Sequence, residues 1–394
     1  MWQKIKNYYH LAQALTAAFI FSFPSSKIKV IGVTGTDGKT TTVHMIYEAL
    51  KTSGQKVSMI SSVGAAIGSK AYETGFHVTT PSSWQIQKYL RKAADNGHEY
   101  FVLETTSHGL DQNRLAYVKF QMAVLTNITH DHLDYHRTWE KYALAKSKLF
   151  KNVAFSVLNS NDAKSFNFLK DKIGGQIITY GVDINADINP RNFPINLKIK
   201  GDFNLQNALA AAAAAKTLGI PKQKIIGALS RFVPVKGRLE EVRLGQDYNV
   251  VIDFAHTPNA LFQALRTLKP QNGRLIAVFG AAGGRDKIKR PLMGKVAADA
   301  ADVIILTSED PRRESFGNIT GQILKGIKNK TDQKNLFVVE DRKEAIQKAI
   351  NMAKKGDTVG IFGKGHEKSM AFGKKEIPWD EFEIARNAIK RKVK

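Results

Sequence analysis

Seven short stretches of the chain are nearly continuous in aliphatic and aromatic residues. They are KIKVIGVTG from Lys27, YFVLETT from Tyr100, MAVLTNI from Met122, YNVVIDFA from Tyr248, RLIAVFG from Arg274, DVIILTS from Asp302 and DTVGIFG from Asp357. Runs this apolar, separated by segments of helical length, have the pattern of parallel strands buried on both faces. Helices should therefore cover both sides of each sheet, in a doubly wound α/β fold. The stretch GDFNLQNALAAAAAAKTLGI, Gly201 to Ile220, opens on a turn and continues as an alanine-rich helix. After it, RFVPVKGRLEEV carries a proline and a glycine just ahead of a new set of strands. A boundary is expected near Lys236. The expected organisation is a short apolar helical segment over 1–28, a central P-loop domain over 29–236 and a Rossmann-like α/β domain over 237–394. No internal repeat is visible.

Leu11 to Phe23 is almost unbroken in apolar character. It is shorter than the roughly 20 apolar residues a membrane span requires, and no small-residue cleavage pattern precedes the first domain. Two readings stay open: a helix packed on the neighbouring domain, or an interfacial membrane helix with Lys4 and Lys6 at its start.

Composition narrows the chemistry. The 394 residues suffice for two or three domains with real cores. Cysteine is absent, which excludes disulfides and thiolate catalysis and fits a cytoplasmic protein. The formal charge of +24 is compatible with nucleic acid, an anionic membrane surface or polyanionic substrates. The basic residues are scattered, apart from Lys390, Arg391, Lys392 and Lys394, and no recognition helix, zinc-finger spacing or RNA-binding aromatic signature accompanies them. Nucleic acid is not expected as a partner.

The stretch VIGVTGTDGKTTT, Val30 to Thr42, joins a strand to a helix through a glycine turn. Backbone N–H groups and a helix N-terminus would face phosphate oxygens, Lys39 would add a charge, and the Thr40 hydroxyl could ligate Mg²⁺. The strict Walker spacing would need glycine where Val33 stands. Glu104 closes the strand YFVLE, where an open α/β sheet binds its ligands, so this carboxylate could face the loop and hold Mg²⁺, or simply cap a turn. Farther on, His130, His132 and His136 fall within seven residues, flanked by Asp131 and Asp134. Zinc is conceivable there, provided the ligands converge.

Together these segments resemble a known family. GVTGTDGKTTT, TTPSS, LETTSHGLDQNR, TNITHDHLDYH, YALAKSKLF, GDFNLQNALAA, GRLEEV, DFAHTPNAL, FGAAGGRDKIKRPLMG, EDPR and GKGHE occur in the order found in the Mur ligases. Those are the ATP-dependent amide-forming enzymes of peptidoglycan synthesis, and folylpolyglutamate synthetase is their relative. The likeness is nearest to the branch that completes the muramoyl tripeptide, and it runs from Lys27 to the C-terminus.

The resemblance implies roles residue by residue. Gly35, Thr36, Asp37, Gly38, Lys39, Thr40 and Thr41 would hold the ATP phosphates. Thr40, Glu104 and His132 would ligate Mg²⁺, and Lys146 matches a lysine that the family carbamylates with CO₂, which would let it help hold a second ion. Lys39, Glu104, His132 and Lys146 are thus the implied catalytic set. Thr79, Thr80, Thr106, Gln112 and Arg114 match positions that hold the muramoyl dipeptide, with Arg114 suited to a carboxylate. Asn204 and Asn207 match residues near the adenine, though either could cap the alanine-rich helix. Arg238, Asp253, His256 and Arg285 match nucleotide-binding positions of the last domain. Asp310, Arg312, Gly363 and Glu367 match the amino-acid site, where Arg312 would pair with a distal carboxylate and Glu367 with an ammonium.

The implied reaction is attack of a substrate carboxylate on the γ-phosphate of ATP, then displacement of phosphate from the acyl phosphate by an amine. Three departures from the family pattern stand out. Only about 28 residues precede the P-loop domain, where the family usually has a UDP-binding domain. EDPR replaces D-N-P-R, and FGAAGG differs ahead of Arg285. The expectation is a cytoplasmic, monomeric ligase, at the inner face of the membrane if the N-terminal segment binds there, adding meso-diaminopimelate or else L-lysine. A related ligase with a non-UDP or lipid-linked acceptor and a non-catalytic nucleotide-binding scaffold are the alternatives.

Overall fold

The computed structural model describes residues 2–68, 70–72, 79–327 and 335–393. It divides into two compact units, 1–129 with 138–233, and 130–137 with 234–394.

The first unit is built on eight strands: β1 (Lys29–Thr34), β2 (Val57–Ile60), β3 (Ala65–Ile67), β4 (Lys70–Tyr72), β5 (Tyr100–Glu104), β6 (Phe120–Leu125), β7 (Phe155–Asn159) and β8 (Gln176–Tyr180). Their order in the sheet is β4-β3-β2-β5-β1-β6-β7-β8. The six from β2 to β8 run parallel, and β3 and β4 extend the edge as an antiparallel hairpin. Side chains alternate between the faces, as strand geometry requires. Val30, Phe101, Leu103, Ala123, Leu125 and Leu158 pack into a core with Ile86 and Leu90 of helix Ser83–Asp95 and Tyr142 of helix Trp139–Ser147. Helices Lys39–Thr52 and Asp202–Thr217 pack on each other and on the strands.

Local sequence fixes these helices. Ser82 accepts from the Gln85 amide and Gln85 bonds back to Ser82, a capping box that starts Ser83–Asp95. In Asp202–Thr217, residues Ala208 to Ala215 are all fully buried. A helix apolar all round belongs inside. The N-terminal segment forms helix Trp2–Ile20, which buries Ala14, Ala17 and Ala18 beside helix Ser83–Asp95. Asn7 Nδ2 donates to the Asp111 carbonyl at 2.9 Å, and Phe21 meets Trp84 edge to face. Among the described residues no helix is long and apolar enough to cross a membrane.

The second unit carries β9 (Glu240–Glu241), β10 (Asn249–Asp253), β11 (Leu275–Phe279), β12 (Val303–Leu306), β13 (Leu336–Val338) and β14 (Thr358–Phe362), in the order β13-β12-β11-β14-β10-β9. All pairings are parallel except that of β9 with β10. Alternate residues feed two cores. Val250, Ile252, Val278 and Ile361 face helices Arg342–Met352 and Glu381–Val393, whereas Val251, Ala277, Leu306 and Phe362 face Pro258–Leu268, Lys289–Ala300 and Phe316–Ile327. The layers are Rossmann-like, with a strand order other than 3-2-1-4-5-6. At the heads of two helices Arg342 bonds Glu381, with both side chains fully buried, and donates to the Phe362 carbonyl at 2.8 Å.

The buried Tyr180 hydroxyl closes the open end of the first sheet by reaching the carbonyls of Leu125 and Thr126 at 2.9 and 3.2 Å. Tyr180→Phe removes that donor from a buried site, so urea unfolding should report a loss of about 1–3 kcal/mol; an unchanged midpoint would mean these carbonyls do not depend on it.

Candidate active site

The P-loop begins where β1 ends. Gly35 has φ 153°, and a Cβ there would lie 1.8 Å from Thr126 Oγ1; Gly38 has φ 81°, and a Cβ there would lie 2.3 Å from Asn207 Oδ1. Only glycine fits either position. The space left open is enclosed by hydrogen bonds. Thr126 Oγ1 donates to the Asp37 carbonyl at 2.6 Å, the Asp37 amide donates to Asn127 Oδ1 at 3.0 Å, and the Thr36 amide donates to the Asn127 carbonyl at 2.8 Å. Asp37 Oδ2 accepts from Thr129 Oγ1 at 3.2 Å, and Lys39 Nζ turns back to the Thr36 carbonyl at 2.8 Å. Thr40 and Thr41 open helix Lys39–Thr52 and are buried.

Two implied catalytic residues, Glu104 and Lys146, meet this loop, which carries a third, Lys39. Thr40 Oγ1 lies 3.1 and 3.2 Å from the Glu104 carboxylate oxygens, and Glu104 also accepts from the Ser62 amide at 2.8 Å. Lys146, 1% exposed, donates to the Gly35 carbonyl at 2.6 Å and lies over the Tyr142 ring at 4.4 Å. The Tyr142 hydroxyl is itself 3.1 Å from Thr36 Oγ1. Thr40 and Glu104 offer hard oxygen donors, the kind that would suit Mg²⁺. Among the described residues no group of three His, Asp or Glu side chains converges as a metal site.

Asn207 Nδ2 donates to Asn204 Oδ1 at 3.2 Å, which puts both asparagines beside the loop at Gly38. The implied dipeptide residues also cluster. Thr80 and Thr106 hydroxyls are 3.0 Å apart, and Arg114 Nη1 donates to the Thr80 carbonyl at 2.6 Å. Thr106 caps helix Ser107–Asp111, with Gln112 as its C-cap, and Thr79 adjoins in the bend before Pro81.

His132 is not in this unit. The segment 130–137 groups with the second unit, where Asp131 is buried beside Lys289, His132 and His256. Burial alone would push the Asp131 carboxyl up; those three neighbours outweigh it and hold the group well below the usual carboxylate range. His132 and Arg137 sit in the left-handed region at φ 55° and 68°, a conformation that costs non-glycine residues about 1–2 kcal/mol. The metal-binding residues implied by sequence are therefore divided, with Thr40, Glu104 and Lys146 in one unit and His132 in the other.

At the end of β10, burial raises the Asp253 carboxyl pKa, against the pull of Arg238 and of backbone amides. Its two oxygens accept from the amides of Leu239 at 2.7 Å and Ala255 at 2.8 Å, so it organises the turns that carry Arg238 and His256. Arg238 lies over the Phe254 ring at 4.5 Å, and the rings of His256 and His366 approach Phe254 at 4.6 and 5.2 Å. Flat cationic and aromatic groups of this kind accept a purine by stacking. Phe254 and His366 lie within DFAHTPNAL and GKGHE, yet the resemblance implied no role for either.

The amino-acid positions are interlocked. Lys364, fully buried, lies 2.9 Å from Asp310 Oδ1 and also pairs with Glu367. Asp310 accepts from the Ala371 amide at 2.9 Å. The acid that replaces the family's neutral amide is thus paired with a cation and an amide. Glu367, implied as the partner of a substrate ammonium, already faces the Lys364 ammonium. Asp310 and Arg312 have left-handed backbones at φ 43° and 52°, and Arg312 Nη1 donates to the Gly283 carbonyl at 3.2 Å. Partial burial and the nearby Arg312 both lower the Arg285 pKa, so an anion between the two guanidiniums would be favoured. Beside Gly363, the buried Glu309 is pushed up to about 7 by desolvation, against Arg342 and Lys289, and its Oε2 has no hydrogen-bond partner among the described residues.

The chain is similar to known proteins. Residues 33–215 match the Mur ligase middle domain, and residues 237–365 match the Mur ligase glutamate ligase domain. The chain is 39% identical over 400 residues to UDP-N-acetylmuramoyl-L-alanyl-D-glutamate–2,6-diaminopimelate ligase 1 of Clostridium acetobutylicum, covering 96% of this chain and 82% of that one. It is 40% identical over 397 residues to the corresponding ligase of Caldanaerobacter subterraneus, covering 96% and 81%. A solved structure of a diaminopimelate ligase of the same description superposes with a TM-score of 0.61 at 32% identity, over 93% of this chain and 79% of that one.

Glu309 makes a prediction with a defined sign. Its pKa rises from 4.5 to about 7 on folding, so the native state holds the extra proton between those values. The stabilisation is complete below the unfolded pKa and is lost as pH rises through the folded one. Glu309→Gln stays neutral throughout, so its unfolding free energy relative to wild type should improve by about 1–3 kcal/mol between about pH 5 and about pH 8. A difference independent of pH, measured by denaturant titration, would refute this.

Proposed function

Because the chain belongs to the Mur ligase family of ATP-dependent amide ligases, we propose that it joins an amino acid to the D-glutamyl carboxylate of a muramoyl-L-alanyl-D-glutamate substrate. The amino acid is meso-diaminopimelate or else L-lysine. The unit 1–129 with 138–233 is read as the ATP-binding part, and the unit 130–137 with 234–394 as the amino-acid-binding part. The observation that carries the reading is the convergence of Lys39, Thr40, Glu104 and Lys146 on one P-loop. A scaffold that only binds nucleotide has no need of a carboxylate and a buried lysine held there.

In this reading the loop amides, the helix N-terminus and Lys39 hold the triphosphate. Thr40, Glu104 and His132 would hold Mg²⁺, which would neutralise phosphate charge when bound. Lys146, once carbamylated, would add a second anionic ligand. Arg114 orients the substrate carboxylate, one oxygen of which attacks the γ-phosphorus as the bond to the ADP oxygen breaks. The amine, after losing a proton, attacks the acyl carbon of the resulting acyl phosphate; the tetrahedral intermediate expels inorganic phosphate and leaves the amide. Arg238, Phe254, His256 and His366 offer a surface for the base. Arg285 and Arg312 attract anionic groups, including a distal carboxylate, and ATP makes the cytoplasm the compartment.

The test is phosphate release by the purified chain with ATP, UDP-MurNAc-L-Ala-D-Glu and a panel of amino acids including meso-diaminopimelate and L-lysine, with products identified by mass. Release that needs both acceptor and amine is expected, and turnover without either would leave only an ATPase. Inhibition by free UDP separates a UDP-bearing acceptor from one presented without it. Lys146→Ala should lower kcat by about 100-fold or more, since it removes charge stabilisation at the phosphoryl centre. Full activity in that variant would sink the carbamate.

Peripheral membrane contact is a second element of the proposal. Helix Trp2–Ile20 exposes Ile5, Tyr8, Leu15 and Phe19 along one stripe, and no acidic residue precedes Asp37. An apolar stripe on an acid-free basic segment suits an anionic lipid surface. The protein should co-sediment with phosphatidylglycerol vesicles at low salt, and Phe19→Ser should weaken that by about tenfold. Equal recovery with and without vesicles would refute membrane contact.

A further inference from the structure

Between Thr129 and Thr138 the chain leaves the P-loop unit for His130–Arg137, which groups with the second unit. Left-handed residues mark its turn at both ends, His132 and Arg137, and neither is glycine. Backbone in that region persists only where neighbours hold it, and two acidic side chains do so. Asp131 Oδ1 lies 3.4 Å from Lys289 Nζ, with both residues buried, and Asp131 Oδ2 lies 3.3 Å from His132 Nε2. Asp286 Oδ2 accepts from the Leu133 amide at 3.3 Å and lies 3.3 Å from His130 Nε2, while Oδ1 accepts from the Ile288 amide at 2.9 Å. Asp286 and Lys289 stand at the head of helix Lys289–Ala300, so both anchors come from one packed element.

We propose that Asp131, Asp286 and Lys289 are positioning residues that fasten His132 to the second unit, so that this histidine moves with that unit although the strand leading into it, β6, belongs to the P-loop unit. The functional consequence rests on the ligase reading above; the fastening does not. Nucleotide capture by the P-loop is then independent of His132, and the transfer step is not. A lysine that only filled space would produce no such split. Removing its charge should loosen a segment that lies more than 150 positions away in the chain, by numbering, and slow chemistry without weakening ATP binding.

The experiment uses the full chain as wild type, Lys289→Gln, Lys289→Arg and Asp286→Asn, with hydrogen exchange and steady-state phosphate release measured on each. Lys289→Gln and Asp286→Asn should raise exchange selectively across 130–137. They should lower kcat by about 100-fold, the scale of a misplaced catalytic group, while KM for ATP changes less than about threefold. Lys289→Arg should restore most of both. Unchanged exchange across 130–137 in both charge-removing variants overturns the proposal, and so does exchange raised evenly through the second unit, which would mark a general packing role. If Lys289→Gln does not fold, Asp286→Asn decides alone. If wild type releases no phosphate with any acceptor, the ligase reading fails, while the exchange data still decide whether the segment is fastened.

Discussion

The candidate nucleotide site depends on keeping backbone bare at two positions. Gly35 and Gly38 are pressed against Thr126 and Asn207 so closely that no side chain fits. That arrangement is not self-supporting, because a glycine-rich turn has more conformational freedom to lose than any other. Its supports come from far along the chain: Thr126 and Asn127 after β6, Lys146 and Tyr142 on helix Trp139–Ser147, and Asn207 on the alanine-rich helix. Lys146 is the most demanding of them. A lysine buried this deeply must be paired or solvated, and here the Gly35 carbonyl and the Tyr142 face take that role.

The second unit meets a related demand with charge. Its buried cations Lys289, Arg290, Arg342 and Lys364 each have a carboxylate partner, in Asp131, Glu314, Glu381 and Asp310. Removing one member of such a pair leaves the other unpaired in low dielectric, which costs about 3–5 kcal/mol. The pairs stand beyond the ends of parallel strands, where the loops that would contact ligands begin. These pairs take up cations and anions in equal number, so the excess of basic residues lies elsewhere in the chain. The exposed basic residues, Arg285 among them, suit phosphate and carboxylate substrates without any appeal to nucleic acid.

The long apolar strands were legible in the sequence because burial on both faces leaves an unbroken run. All seven quoted runs contain strands: β1, β5, β6, β10, β11, β12 and β14. β2 and β7 escaped because buried serines, Ser58 and Ser156, interrupt them, and β8 because its first two residues are exposed. The P-loop and the carboxylate that ends β5 were legible for a different reason, since their chemistry resides in a few adjacent residues at a strand end. The resemblance then supplied candidates such as Lys146 that would otherwise pass for a surface lysine. Phe254, His366, Glu309 and Lys289 gave no signal of a role, because what distinguishes each is a neighbour distant in the chain.

The His130–Arg137 segment shows where linear reading reaches its limit. Connectivity assigns it to the first unit, whose residues precede and follow it; packing assigns it to the second. A domain boundary drawn as one cut in the sequence has no way to express this, because a strand and the next helix can stay in one unit while the loop between them belongs elsewhere. Loops cost little to lengthen, so a short excursion is an inexpensive way to attach a reactive side chain to a second body. What the excursion cannot do is hold its own conformation. A four-residue helix flanked by two left-handed residues is far below the length at which helices are stable alone. Its geometry must come from the body on which it rests, and for that reason two of the three residues that position His132, Asp286 and Lys289, lie in a part of the sequence where no histidine motif occurs.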